Sequence, residues 1–88
     1  MERTMNYKAV VREFIIENFL FGEAEKLQDD TLFFESGIID STGILEVVSF
    51  LEEKFKIKVE DIELIPENFS SILDIDRYLN RKLNGKLN

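Results

Sequence analysis

Apolar residues return every three or four positions in three separate stretches, and this spacing limits the possible folds more than any other feature. The first stretch holds Tyr7, Val10, Val11, Phe14 and Ile15, the second Ile44, Val47, Val48, Leu51 and Phe55, and the third Ile72, Ile75, Leu79 and Leu83. Side chains three and four apart share one face of a helix, so each stretch predicts an amphipathic helix with a single buried stripe. The spacing predicts helices over about 5–20, 41–55 and 71–83, with a short one over about 60–64. Thr4 or Asn6 would start the first, and Gly22 would stop it in a left-handed conformation. Ser70 or Ser71 would cap the last. In the short helix Ile62 is expected to face inward, with Leu64 or Ile65, and Pro66 to end it. Lys56-Ile57-Lys58-Val59 alternates like a strand but has no partner, and reads as extended linker. Leu32, Phe33 and Phe34 would pin the loop between the first two helices to the core. The expected fold is all-α, a single domain over 1–88 built as a bundle of three main helices plus one short helix.

The second helix is introduced by Gly37-Ile38-Ile39-Asp40-Ser41-Thr42-Gly43. Asp40 suits an N-cap, because its carboxylate can accept from free backbone N–H groups one turn on. Ser41 then stands at the helix start with its hydroxyl exposed. A phosphate ester there would meet free N–H groups and the positive end of the helix dipole. Gly43 inside the first turn costs about 1 kcal/mol against alanine. It is expected to leave room for a modifying enzyme or a large prosthetic group.

Composition removes several classes of function. With 18 acidic residues against 11 basic ones the net charge is −7, which repels nucleic-acid phosphate and favours partners with basic patches. The acids concentrate in the middle: 13 fall between Asp29 and Asp76, where the only basic residues are Lys54, Lys56 and Lys58. Without cysteine the chain has no disulfide, zinc-thiolate site or thiol nucleophile of its own. Without histidine Ser41 lacks the commonest general base, so the chain is not expected to be an enzyme. Asp74-Ile75-Asp76 opens like a calcium loop, but Tyr78 and Leu79 follow where oxygen ligands and a glycine are needed, so no metal is expected. No apolar run has the form of a signal peptide or the length of a bilayer span, which predicts a cytoplasmic chain without stable membrane insertion. Asn68-Phe69-Ser70 then reads as a chance match to a glycosylation sequon.

From Tyr7 to about Leu83 the chain resembles the acyl carrier protein family, which also includes peptidyl and D-alanyl carriers. The resemblance centres on Gly37-Ile38-Ile39-Asp40-Ser41, followed by Leu45-Glu46-Val47-Val48 and Leu51-Glu52-Glu53-Lys54-Phe55-Lys56-Ile57. It implies a non-enzymatic phosphoprotein of fatty acid, lipid or related biosynthesis. Ser41 would bear 4'-phosphopantetheine, transferred from coenzyme A by a phosphopantetheinyl transferase, and the arm would carry an acyl or aminoacyl group as a thioester. It implies that Asp40 is read by modifying and hydrolysing enzymes. Thr42, Leu45, Glu46, Ser49, Glu52 and Glu53 would form the side presented to loading ligases and synthases with basic patches. A monomer is expected. Thr42 stands where Leu or Met is usual, Gly43 follows it, and Ser49 replaces a larger apolar residue, a pattern nearer to D-alanyl and other specialised carriers. The alternative from another class is an unmodified acidic helical module that binds a basic partner through the same helix.

Overall fold

The computed structural model describes residues 7–84. Helix α1 spans Lys8–Phe19, α2 Phe33–Ser36, α3 Gly43–Phe55, α4 Pro66–Phe69 and α5 Ile72–Asn84, with 3₁₀ turns at Ala24–Lys26 and Asp61–Glu63. No strand occurs among the described residues, so the fold is an all-α bundle of three long helices and shorter turns. The expected start of the first helix at Thr4 or Asn6 lies outside the described residues.

The three apolar stripes meet in one core. Val11 and Ile15 of α1, Val47 and Leu51 of α3, and Ile75 and Leu79 of α5 are fully buried against each other. Rings set the direction of α3 against α1. Tyr7 packs edge-on to Phe55 at 5.2 Å, while Phe14 stacks on Phe50 at 4.1 Å. The other end of α1 reaches the start of α3, where Phe19 lies beside Gly43. The two helices therefore run antiparallel, and the C-terminal end of α1 lies beside the stretch that carries Ser41.

Local chemistry explains the ends of the elements. At the close of α1 the N–H groups of Leu20 and Gly22 both donate to the Ile16 carbonyl, at 3.2 and 3.1 Å. Gly22 takes the expected left-handed conformation (φ +92°), but Phe21 enters it first (φ +51°) and stands 87% exposed. Ser71 Oγ accepts from the Asp74 N–H at 3.2 Å, so Ser71 is the residue that caps α5. The loop before α3 contains α2, a turn that the sequence pattern did not show. Phe33 is fully buried there, whereas Leu32 and Phe34 are largely exposed, so one of the three expected anchors does the pinning. Main-chain bonds complete it: Phe33 N–H donates to the Ser70 carbonyl at 2.9 Å, and Leu73 N–H to the Asp29 carbonyl at 3.0 Å. Arg12 binds the same loop through the Leu27 carbonyl and the Asp29 carboxylate.

One expectation in the 60–69 region is corrected. Ile62 does not face inward; it is 85% exposed, and Leu64 and Ile65 are exposed as well. The inward position belongs to Glu63, whose carboxylate accepts from the Glu60 N–H, the Tyr78 hydroxyl and Lys82 Nζ, each at 2.9 Å. Burial opposes the charge on Glu63, yet these donors hold its carboxyl below the ordinary value, and burial followed by the bond to Glu63 pushes the Tyr78 phenol up. The turn ends before Pro66 as expected, with Ile65 extended, and Pro66 also begins α4 at its first position, where the missing N–H has no intrahelical partner to lose. Asn68 is buried, donating to the Glu63 carbonyl and accepting from Arg81, so the sequon is closed to a glycan.

Candidate functional site

Regular α3 begins at Gly43, two residues later than the spacing predicts. The turn that precedes it is nevertheless helical in its first bond, since the Ile44 N–H donates to the Asp40 carbonyl at 3.0 Å. Asp40 Oδ1 accepts from the Gly43 N–H at 2.7 Å, which is the capping bond expected of this carboxylate. Ser41 lies in that turn, exposed, and its hydroxyl makes no hydrogen bond with the described residues. Ile39 beside it is buried and fixes the turn to the core. A hydroxyl side chain is thus held on a capped turn and exposed to solvent.

Gly43 has a different role from the one its sequence position suggests. It is buried, and a Cβ there would stand 2.8 Å from Phe19 Cε1 and 3.2 Å from both Asp40 Oδ1 and Ile39 Cγ2. The glycine makes room inside the molecule for the Phe19 ring and the Asp40 cap, not outside it for an approaching enzyme.

The expected partner-facing residues separate into two groups. Thr42, Leu45, Glu46, Ser49 and Glu53 line one shallow groove of about 490 Å³, together with Phe14 and Phe50. Glu52 does not join them. Its Oε2 accepts from the Val59 N–H at 2.9 Å and ties the linker to α3. Periodicity does not mark either phenylalanine as a surface residue: Phe14 belongs to the stripe of α1, and Phe50 follows the exposed Ser49 and lies off the stripe of Val47, Val48 and Leu51. On the opposite side, Phe34, Ile44, Leu64, Ile65, Pro66 and Phe69 line an apolar cleft of about 150 Å³. No described helix is long and apolar enough to cross a membrane.

The described residues thus form a small helical bundle in which a capped turn presents an exposed serine. The chain is 36% identical over 58 residues to the probable acyl carrier protein PigG of Serratia sp. (strain ATCC 39006), an alignment covering 66% of this chain and 67% of PigG. The chain belongs to the acyl carrier protein family, whose members are carriers and not enzymes. A scan against models of protein families finds no match.

Proposed function

We propose that this carrier bears 4'-phosphopantetheine on Ser41 and presents an acyl or aminoacyl group to partner enzymes. The observation that carries the reading is the free, exposed Ser41 hydroxyl on a turn fixed by the Asp40 cap and buried Ile39, in a chain of the acyl carrier protein family. The residues fit the arm: nothing in the described structure occupies the Ser41 hydroxyl, and the backbone ahead of α3 is ordered by bonds that do not involve it. When attached, the arm supplies the thiol that this cysteine-free chain lacks, and cargo is held on it as a thioester.

This chain's own residues perform three tasks in that account. Asp40 holds the turn open for attachment and offers the transferase a carboxylate next to the target hydroxyl. Gly43 and Phe19 keep the start of α3 packed, so that the point of attachment does not drift. Thr42, Leu45, Glu46, Ser49 and Glu53 present an acidic rim to loading ligases and synthases with basic patches, which would be drawn to it electrostatically.

Wild-type chain and Ser41→Ala, each incubated with coenzyme A and a broad-specificity phosphopantetheinyl transferase, separate the carrier from an unmodified interaction module. The carrier reading expects one phosphopantetheine mass on the wild type and none on Ser41→Ala. No added mass on the wild type, under conditions that modify a control carrier, would favour the interaction module.

A further inference from the structure

We infer that α1 shares the docking surface with α3, so that an enzyme acting at Ser41 seats a basic, apolar-tipped element across both helices. The inference rests on the carrier reading and extends it to residues outside the second long helix. The groove that starts at Thr42, directly after Ser41, has the stacked rings of Phe14 and Phe50 as its floor, with planes 14° apart. It continues through the same two rings into a smaller hollow lined by Val10, Glu13, Glu17 and Lys54. Val10, Glu13, Phe14 and Glu17 all belong to α1, so four of the eleven residues lining this continuous surface come from the first helix.

Its chemistry selects one kind of partner. Glu13 and Glu17 stand on the α1 side, Glu46 and Glu53 on the α3 side, all exposed and none in an ion pair within the described residues. Lys54, at the end of α3 away from Ser41, is the one basic residue lining either hollow. Between these acidic edges lie the half-buried rings and Leu45, which is 53% exposed. Acids left unneutralised on both sides of an apolar floor complement a segment with Lys or Arg flanking a single apolar side chain. The floor receives the apolar tip and the two edges take the cations. An element bound only to α3 would leave Glu13 and Glu17 facing it unpaired.

Steady-state transfer from coenzyme A by a phosphopantetheinyl transferase tests this on the full chain. Three proteins are compared: wild type, the α1 pair Glu13→Lys with Glu17→Lys, and a control pair Glu25→Lys with Asp30→Lys. The control makes the same charge change at exposed positions outside the groove. The α1 pair is expected to raise KM about tenfold or more with kcat within about twofold, because docking charges act on encounter and not on the reacting atoms. The control pair is expected to change KM by less than about twofold, since isolated surface charges are screened. Phe14→Leu keeps an apolar floor without the stacked ring and is expected to raise KM by a smaller factor. An α1 pair indistinguishable from the control pair overturns the shared surface and leaves the carrier reading standing. A wild type that accepts no phosphopantetheine, while a control carrier does, overturns both.

Discussion

A methyl group at Gly43 would have to displace the edge of Phe19 or the cap of Asp40, and this decides what the position tolerates. Alanine gains about 1 kcal/mol of helix propensity over glycine. Overpacking a filled site costs about 1–3 kcal/mol. The second effect is larger here because two of the three close neighbours, Asp40 Oδ1 and Ile39 Cγ2, are held by a hydrogen bond and by burial. Gly43→Ala is therefore expected to lose about 1 kcal/mol in urea unfolding. A gain in stability would show that the turn yields freely. Asp40 separates two roles by one atom. Asp40→Asn keeps a capping oxygen, so its stability should stay within a few tenths of a kcal/mol of wild type, whereas Asp40→Ala should lose about 1 kcal/mol. If the transferase reads the charge, Asp40→Asn slows modification although the fold is intact. Equal rates for wild type and Asp40→Asn would reduce Asp40 to a cap.

Among the elements, the turn Asp61–Glu63 depends most on a single contact set. Glu63 joins it to α5 through Tyr78 and Lys82, and Asn68 joins α4 to the same helix through Arg81. Glu63→Gln removes the charge from that junction and is expected to lose about 1–2 kcal/mol. The folded carboxyl lies below its ordinary value of 4.5. Its contribution is therefore complete above that value and is lost as pH falls through the folded one. Thermal unfolding of wild type and Glu63→Gln should differ at neutral pH and converge in acid; a difference that persists below the folded value would place the loss in packing instead. The same turn shows why some elements were legible in the sequence and others were not. The stripes of α1, α3 and α5 repeat over three turns, so their period fixes the buried face, and Ile75 and Leu79 lie where it puts them. One turn has no period. Ile62 looked like the core residue of its turn, yet three donors, two of them from α5, draw Glu63 inward and turn Ile62 out. The turn of α2 was hidden for a related reason: its Phe33 N–H is satisfied by Ser70, 37 positions further along the chain. Pro66 followed the rule for the residue before it but also opened α4, which the rule does not forbid.

At the scale of the whole molecule, charge and packing divide the surface. The core is built from three stripes, and an excess of acids covers what they leave outside. Asp40, Ser41 and the groove residues of α3 were legible because their arrangement is local to one turn and one helix. The place of Phe14 in that groove was not, because it depends on Phe14 meeting Phe50 across an antiparallel pair of helices. Glu52 on the same helix accepts from the Val59 N–H, a partner that periodicity does not see. The chain's lack of cysteine gives the carrier reading its most direct test. Free thiol is titrated on the purified, denatured chain before and after incubation with coenzyme A and transferase, followed by removal of small molecules. The account predicts a thiol count that rises from none to one per chain, and stays at none in Ser41→Ala. No thiol on the treated wild type beside a control carrier that gains one, or a thiol that appears equally on Ser41→Ala, would contradict it.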